Sequence, residues 1–260
     1  MDQLKPHISL EAILDRIAVR RINGEVSMSI DGLQLDSRVI KPGEAFIAFK
    51  GTKIDRHGFI EDAISSGARV IICEEWPKET VPQVTYVQVE GLKEQVGHLA
   101  SNFYGQPSRK LKMVAVTGTN GKTSVATLGY QAIQNLGYKS GLLSTTGVYI
   151  DNEKFEATHT TPDPISLHRA LSQMVDQGCE WCWMEASSHA LHQGRVSGID
   201  FLAGVFTNLS HDHLDYHGSF SAYLKAKKRL FDELSEGSVA IINQDDRNAW
   251  VMVQNCKARK

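Results

Sequence analysis

The stretch VAVTGTNGKTS at residues 114–124 decides the fold of the second half of this chain. Its small apolar residues predict a buried strand, and the glycines after them predict a tight loop that leads into a helix near Thr123. Backbone N–H groups in such a loop and the dipole of the following helix favour an anion. The alternative is an ordinary glycine turn, but the order of strand, loop and helix favours a phosphate site.

The glycine loop departs from the commonest phosphate-loop pattern. Gly118 and Gly121 give the sequence G-T-N-G-K-T, and Val116 stands where the pattern G-x-x-x-x-G-K-[ST] has its first glycine. Lys122 can still reach the outer phosphates of a nucleotide, and the hydroxyl of Thr123 can ligate Mg²⁺. A GTPase is disfavoured, because the chain has no N-K-x-D sequence for guanine.

The bulk composition argues against several classes of protein. The chain has 260 residues, of which 42% are hydrophobic, and a formal net charge of −2. That balance indicates a globular protein with a core, and it disfavours a dedicated nucleic-acid or anionic-membrane binder, which usually carries a basic excess. No apolar run approaches the roughly 20 residues needed to span a bilayer. The first ten residues lack the features of a secretory signal, so we expect a cytoplasmic location.

Residues 1–108 are predicted to form a small α/β domain. The apolar and β-branched runs AFIAFKG, ARVIICEE and TYVQVE predict strands. The spacing of residues 92–105 predicts a helix that ends at a glycine, and QPSRK is predicted to be a linker.

Residues 111–260 are predicted to form a second α/β domain with a mostly parallel sheet covered on both faces. The runs LKMVAV, EWCWMEA, LAGVFTN and SVAIIN predict buried strands, and helical stretches separate several of them. This alternation is typical of parallel sheets, whose ligands bind at the carboxyl ends of the strands. Cys179 and Cys182 form a C-x-x-C in one buried strand, so a core role is favoured over a redox or zinc site.

Three of these strands end in polar residues that suit a nucleotide site. Glu185 can hold Mg²⁺ beside phosphates or can be a solvated acid, and both readings stay open. The stretch HDHLDYH at residues 211–217 concentrates histidines and aspartates. Zinc fits its spacing only loosely, so we prefer His213 as a Mg²⁺ ligand and the other histidines as structural. Asn243 can contact an adenine edge or simply cap its strand.

The last long helix predicted in the chain carries a lysine on its apolar side. Ser219 can cap this helix. Its apolar stripe, at about 100° per residue, includes Lys227, whereas Lys225, Lys228 and Arg229 are predicted to point into solvent. A buried lysine with a lowered pKa could react with CO₂ to form a carbamate, an anion able to bind a metal. From spacing alone, snorkelling to the surface is the preferred alternative.

Six stretches together resemble the Mur ligases of bacterial cell-wall synthesis, and the resemblance covers nearly the whole chain. They are LDSRVIKPGEAFIAFKG, VTGTNGKTS, HTTPDP, MEASSHALHQGRV, FTNLSHDHLDYHG and YLKAKKRLF. The phosphate loop does not identify the branch of the family, because it is shared with all Mur ligases and with folylpolyglutamate synthases. TTPDP and SSHALHQGRV are similar to the branch that adds the third peptide residue, diaminopimelate or lysine, to UDP-N-acetylmuramoyl-L-alanyl-D-glutamate.

This resemblance implies roles for individual residues. ATP would be bound by Gly118, Thr119, Asn120, Gly121, Lys122, Thr123, Ser124 and Asn243. The metal ligands would be Thr123, Glu185, His213 and Lys227 as its carbamate. The catalytic residues would be Lys122, Glu185, His213 and Lys227. The UDP-linked substrate would contact Leu35, Ser37, Thr52, Lys53, Thr160, Thr161, Ser187, Gln193 and Arg195.

The resemblance also implies a chemistry and its partners. The γ-phosphoryl group of ATP would move to the side-chain carboxylate of D-glutamate, and the amine of an incoming amino acid would displace phosphate from the acyl phosphate. Lys122 and Mg²⁺ would offset the repulsion between the two anions. The partners would be the UDP-N-acetylmuramoyl dipeptide and the amino acid, without nucleic acid or membrane, and we expect a monomer.

One departure from the family pattern leaves alternatives open. Family members carry a third domain that binds the amino acid, and this chain stops before it. We therefore expect a fragment with an incomplete central sheet and no ligase turnover, in which the residues that select the amino acid are missing. The alternatives are a non-catalytic nucleotide-binding module and another ligase of the superfamily, such as a folylpolyglutamate synthase. TTPDP and SSHALHQGRV argue against the second.

Overall fold

The computed structural model describes residues 8–51, 54–155 and 162–260. The chain divides into two compact units, Met1–Gln106 and Pro107–Lys260. No helix in the described ranges is long and apolar enough to cross a membrane.

The first unit is built on a mixed five-stranded sheet. The strands of this unit are β1 (Ile8–Ser9), β2 (Val19–Asn23), β3 (Ser29–Ile30), β4 (Leu33–Gln34), β5 (Ala45–Ala48), β6 (Val70–Cys73) and β7 (Thr85–Val89). Strands β1 and β3 pair with each other in a separate two-stranded sheet. Its helices are α1 (Leu10–Ile13), α2 (Ile60–Ser65) and α3 (Leu92–Phe103), and 3₁₀ turns lie at Ser37–Val39 and Arg56–Phe59. The sheet order is β2-β7-β6-β5-β4, in which only β2 is antiparallel to its neighbour. The three strands predicted from apolar runs are β5, β6 and β7.

The second unit contains a seven-stranded sheet. Its strands are β8 (Lys112–Thr117), β9 (Ser140–Ser144), β10 (Gly147–Ile150), β11 (Glu153–Phe155), β12 (Trp181–Glu185), β13 (Ala203–Phe206) and β14 (Val239–Ile242). Its helices are α4 (Lys122–Asn135), α5 (Pro164–Asp176), α6 (Ser188–His192), α7 (Leu214–His217), α8 (Phe220–Asp232) and α9 (Ala249–Met252).

Five neighbouring strands of this second sheet run parallel, which confirms the predicted fold class. The order is β11-β10-β9-β12-β8-β13-β14, in which the pairs β9–β10 and β10–β11 are antiparallel and the other pairs are parallel. The sequence did not predict β9, β10 or β11. All parallel strands end at the same edge, so the polar residues that follow them are brought together.

Both faces of the sheet are covered, because successive side chains of a strand point to opposite faces. In β8, Ala115 belongs to the large core that also contains Leu171 of α5 and Phe231 of α8. The next residue, Val116, joins a smaller cluster with Tyr130 of α4. Helices α5 and α8 therefore contribute to one core and α4 to the other.

The C-x-x-C motif is part of the core, as predicted. Cys182 lies in β12 and is fully buried, and Cys179 lies just before the strand and is 5% exposed. Both are free thiols. Burial raises the pKa of the Cys179 thiol, which keeps it in the unreactive protonated form.

The predicted linker QPSRK lies at the boundary between the two units, but most of it is packed within the second unit. Pro107–Lys110 form a 3₁₀ turn in which Pro107 and Ser108 are buried. The hydroxyl of Ser108 accepts a hydrogen bond of 3.2 Å from the backbone N–H of Asp200, and Arg109 Nε donates to the Asp200 carboxylate at 2.7 Å. These contacts make the segment part of the second unit, which proline, serine and basic residues alone did not indicate.

Helix α8 has the predicted cap at Ser219, but one lysine predicted to point into solvent is buried. The hydroxyl of Ser219 accepts from the N–H of Ala222 at 3.2 Å, and Lys225 is exposed as predicted. Lys228, in contrast, is only 8% exposed and forms an ion pair with Asp232 one turn later. Since that carboxylate satisfies the ammonium, the aliphatic stem of Lys228 can be buried, so its predicted solvation is wrong. Arg229 is half-buried.

A close helix–strand contact yields a stability prediction. A Cβ atom added to Gly129 of α4 would lie 2.6 Å from ring carbons of Trp183 in β12. Alanine favours a helix interior by roughly 1 kcal/mol over glycine, but overpacking costs about 1–3 kcal/mol. We expect Gly129→Ala to lower the free energy of unfolding by about 1 kcal/mol, measured by urea denaturation.

The matched control is Gly237→Ala in the same unit. No atom of the described residues lies within 4 Å of a Cβ at Gly237, so the free energy of unfolding of this variant is expected to match or slightly exceed that of the wild type. A Gly129→Ala protein as stable as Gly237→Ala would contradict the close packing.

Candidate active site

The loop between β8 and α4 depends on the absence of side chains at its two glycines. Gly118 has φ of +151° and Gly121 has φ of +84°, values that L-residues with a Cβ rarely adopt. A Cβ on Gly118 would also collide with the hydroxyl of Thr207. The loop therefore requires glycine for conformation and for space.

Residues after β13 hold the loop in shape. The side-chain amide of Asn208 accepts from the backbone N–H of Asn120 at 3.0 Å and donates to the carbonyl of the same residue at 3.1 Å. Thr207 Oγ1 donates to the same carbonyl at 2.7 Å, and the carbonyl of Asn208 accepts from Thr119 N–H at 2.8 Å. The N–H groups of residues 119 and 120 are thus used within the protein. An anion would bind at the first-turn N–H groups of α4, which have no acceptor inside the helix.

Two lysines meet at one carbonyl of the loop. Lys122 Nζ donates to the carbonyls of Gly118 at 3.0 Å and Thr119 at 2.8 Å. Lys227 Nζ donates to the same Gly118 carbonyl at 2.7 Å, and its residue is 1% exposed. The prediction that Lys227 faces inward is confirmed, and snorkelling is excluded.

Burial lowers the pKa of both lysines. It lowers the pKa of Lys227 to about 7; the nearby charge of Lys122 lowers it further, and Asp212 partly compensates. Burial also lowers the pKa of Lys122, against the opposing influence of Glu185 and Asp212. Near neutral pH, Lys227 therefore has a substantial neutral fraction able to react as a nucleophile.

Glu185 ends β12 as a buried carboxylate with hydroxyl and amide partners. It is 1% exposed, which excludes a solvated acid. One carboxylate oxygen accepts from Thr123 Oγ1 at 2.9 Å. The other accepts from the N–H of Thr145 at 2.9 Å and from its hydroxyl at 3.2 Å. This group of oxygen atoms at the start of α4 fits the ligands that Mg²⁺ prefers.

Thr145, like Thr207 and Asn208, was not singled out from the sequence. Each of them follows a strand adjacent to β8 or β12 in the sheet. The available signal was the hydroxyl or amide residue directly after an apolar run, but its relevance depends on which strands are neighbours.

The histidine-rich stretch forms a ring cluster around α7. The side chain of His213 is 47% exposed and lies 3.6 Å from the carboxylate of Asp212. Its ring meets that of His189 edge-on, with centroids 4.9 Å apart. Burial, His189 and His192 lower the pKa of His217 to about 4. Within the described ranges, no three His, Cys, Asp or Glu side chains converge as a metal site, so the zinc alternative gains no support. His213 as a Mg²⁺ ligand stays a prediction.

Asn243 follows β14 beside an open cleft. Its side-chain amide donates to the carbonyl of Thr207 at 2.9 Å and accepts from the N–H of Asp245 at 3.2 Å. The cleft, of about 380 Å³, is lined by Asn120, Gly121, Val125, Val205, Phe206, Thr207, Asn208, Ile241, Ile242 and Asn243. Its apolar walls next to the loop suit a flat base, and the contact of Asn243 with adenine stays a prediction.

The residues expected to contact the UDP-linked substrate are divided between the units. In the second unit, Ser187 caps α6 through a 3.1 Å bond from the N–H of Ala190, and Arg195 Nε donates to Gln193 Oε1 at 2.9 Å. In the first unit, Ser37 is buried and the carbonyl of Leu35 accepts from Arg56 Nε at 3.1 Å. Thr52, Lys53, Thr160 and Thr161 lie outside the described residues.

Proteins that carry the same enzyme name are similar to this chain over nearly its whole length. A UDP-N-acetylmuramoyl-L-alanyl-D-glutamate–2,6-diaminopimelate ligase from Phocaeicola vulgatus is 49% identical over 252 residues, which are 97% of this chain and 52% of that protein. A solved structure of a ligase with the same name has a TM-score of 0.83 at 32% identity, and the match covers 98% of this chain and 52% of that one. The chain spans about half the length of the curated relatives it matches.

More distant structures share the fold. A MurF ligase from Thermotoga maritima, solved in complex with ADP, has a TM-score of 0.57 at 20% identity, and the match covers 87% of this chain and 48% of that one.

Two family models match consecutive parts of the chain. The model described as "Mur ligase family, catalytic domain" matches residues 29–104, and that of the Mur ligase middle domain matches residues 116–260. Since the second match alone covers more than half of the chain, the protein belongs to the Mur ligase family.

Proposed function

We propose that this chain supplies the nucleotide site and part of the acceptor site of an ATP-dependent ligase of peptidoglycan precursor synthesis. The ligase would join 2,6-diaminopimelate, the amino acid named in its relatives, to UDP-N-acetylmuramoyl-L-alanyl-D-glutamate. The buried carboxylate of Glu185, 2.9 Å from the Thr123 hydroxyl directly after the phosphate loop, carries this proposal. Such a pair of oxygen ligands at a helix N-terminus suits a magnesium nucleotide.

In the proposed nucleotide complex, phosphates bind the first-turn N–H groups of α4 and the base enters the cleft beside Asn243. Lys122 is held by the carbonyls of Gly118 and Thr119. It would exchange these acceptors for phosphate oxygens, whose full charges make stronger hydrogen bonds. The fold neighbour from Thermotoga maritima was solved with ADP, which agrees with this assignment.

Thr123 and Glu185 are the residues we propose to hold Mg²⁺, with His213 and a carbamate on Lys227 as further ligands. When bound, the metal ion would offset the repulsion between the anionic phosphates and the anionic acceptor. The carbamate would form from CO₂ and the neutral amine of Lys227, which burial favours.

The proposed reaction has two steps. A side-chain carboxylate oxygen of D-glutamate attacks the γ-phosphorus of ATP, and ADP leaves, which yields an acyl phosphate. The amine of the amino acid then attacks the acyl carbon, phosphate leaves, and the amine loses a proton. Lys122 would neutralise charge on the transferred group, and Arg195 would position an anionic part of the acceptor through its guanidinium fork. The proposed acceptor site further includes Leu35, Ser37, Thr52, Lys53, Thr160, Thr161, Ser187 and Gln193.

A crossed binding experiment tests both sites. We expect Arg195→Ala to weaken binding of the UDP-N-acetylmuramoyl dipeptide about 10- to 100-fold and to spare a non-hydrolysable ATP analogue with Mg²⁺, because a charged hydrogen-bond partner is lost. Lys122→Met should show the opposite pattern. Isothermal titration calorimetry on the full chain provides both affinities.

Exposed residues of the same type supply the controls, Arg169→Ala and Lys225→Met, which should bind both ligands like the wild type. Equal dipeptide affinity for Arg195→Ala and wild type would contradict the acceptor site. Nucleotide binding without any dipeptide binding would favour a non-catalytic nucleotide-binding module.

The carbamate can be observed directly. In buffer with ¹³C-labelled bicarbonate, we expect the wild type to show a carbamate carbon resonance that Lys227→Met lacks and Lys225→Met retains. The neutral amine required for this reaction exists at pH 7 and above because burial lowers the pKa of Lys227. Identical ¹³C spectra for the three proteins would remove the carbamate from the proposal.

Because the amine of Lys227 is buried, we expect the free energy of unfolding to depend on pH. The pKa of Lys227 is about 7 in the folded chain, against an ordinary value of 10.5. Between these values the unfolded chain keeps a proton that the folded chain has released, so raising the pH favours the folded state. In CO₂-free buffer, we expect wild type to gain about 2 kcal/mol of unfolding free energy relative to Lys227→Met between pH 7 and pH 9.

Urea titrations at half-unit pH steps measure this difference. Lys225→Met, which replaces an exposed lysine, should track the wild type across the range. A difference between wild type and Lys227→Met that does not change with pH would show that the amine is not buried as described.

A further inference from the structure

Two segments that are distant in the sequence meet at the hydroxyl of Tyr216. Gln193 Nε2 donates to this hydroxyl at 2.9 Å, and His192 Nδ1 lies 3.1 Å from it. Gln193 Oε1 in turn accepts from Arg195 Nε at 2.9 Å. Tyr216 lies in α7, within the histidine-rich stretch. Its partners His192 and Gln193 lie at the end of α6, the helix that follows β12. The hydroxyl therefore joins the proposed acceptor-binding segment to the stretch that contains His213.

The directions of the two hydrogen bonds made by Gln193 follow from the guanidinium donor of Arg195. A guanidinium nitrogen can only donate, so the atom of Gln193 that faces Arg195 must be the amide oxygen. The amide nitrogen of Gln193 then faces Tyr216 and donates to its oxygen. The bond between the Tyr216 hydroxyl and Nδ1 of His192 can run in either direction, according to the tautomer of that ring.

Ring contacts fix where the hydroxyl lies. The ring of Tyr216 packs on that of His189 with centroids 4.0 Å apart, and meets His217 at 4.8 Å and His192 at 5.6 Å. Tyr216 is half-buried and has only two side-chain torsions. A ring held on three sides presents its hydroxyl at one position, so it can serve as a fixed reference for the flexible amide of Gln193.

We propose that Tyr216 is a positioning residue that locks Gln193, and through it Arg195, in the orientation that receives the acceptor substrate. The inference rests on the proposed function of Gln193 and Arg195 in binding the UDP-N-acetylmuramoyl dipeptide. Without the hydroxyl, the amide of Gln193 can turn over, and the Nε–H of Arg195 then loses the amide oxygen that it donates to. The orientation of the guanidinium is then less fixed before binding, and fixing it on binding costs affinity.

Tyr216→Phe tests this inference because it keeps the ring contacts and removes only the hydroxyl. We expect the full chain to bind the UDP-N-acetylmuramoyl dipeptide about 3- to 10-fold more weakly and the ATP analogue with unchanged affinity, measured by calorimetry. Tyr138→Phe, at a 45% exposed tyrosine of the same unit, is the matched control and should change neither affinity.

A double-mutant cycle separates positioning from a general loss of structure. If Tyr216 acts through Gln193, Tyr216→Phe should have no further effect on dipeptide affinity in a Gln193→Ala background. Independent losses that add together would overturn the inference while leaving the proposed function intact.

A spectroscopic measurement decides the hydrogen-bond chain without any ligand. In ¹⁵N NMR spectra of the wild type, we expect protected Arg195 Nε–H and Gln193 side-chain amide signals that shift and exchange faster in Tyr216→Phe but not in Tyr138→Phe. Unchanged signals in Tyr216→Phe would overturn the positioning role. Changed signals in a chain that binds no dipeptide would instead refute the proposed function.

Discussion

Two ammonium groups share one backbone carbonyl, and the chemistry of the site depends on that crowding. Lys122 and Lys227 both donate to the carbonyl of Gly118, at 3.0 and 2.7 Å. Burial lowers the pKa of Lys227 to about 7, and the charge of Lys122 lowers this pKa further; burial also lowers the pKa of Lys122. Glu185 and Asp212 offset only part of this lowering. The site can relieve the remainder by binding an anion or by neutralising one amine, and the proposed phosphates and carbamate correspond to these two routes.

The parallel sheet brings this site together. Strands β8, β9, β12 and β13 are neighbours and end at the same edge, where they supply the phosphate loop, Thr145, Glu185 and Asn208. Helix α8 contributes from the side: Tyr223 bonds Thr119 at 3.0 Å, and Lys227 bonds Gly118. The loop is thereby held by the strand ends and by the helix, so its shape does not depend on a bound ligand.

Features that depend on local pattern could be predicted from the sequence, and features that depend on strand order could not. The phosphate loop, the buried strands and the place of Lys227 in the apolar stripe of α8 follow from periodicity and glycine placement, whereas spacing alone favoured snorkelling of its amine. Thr145 and Asn208 gain their importance only because β9 and β13 flank β12 and β8. Lys228 was misplaced because helical periodicity ignores a partner one turn away, and Asp232 makes its burial tolerable. The packing of the predicted linker was not visible either, since the contacts of Ser108 and Arg109 with Asp200 join residues that are remote in sequence.

A buried amine with a lowered pKa reduces the stability of the folded chain, and an apolar side chain in its place would avoid this cost. Methionine has nearly the volume of lysine and would fill the position beneath Gly118 without a charge. The neighbouring Lys228 shows how this helix buries a lysine at low cost, by pairing it with a carboxylate. Lys227 instead bonds a neutral carbonyl and faces a second cation, an arrangement that leaves its nitrogen reactive. Since the two lysines are adjacent in one helix, their different surroundings distinguish a lysine paired with a carboxylate from one whose burial the proposed carbamate would account for.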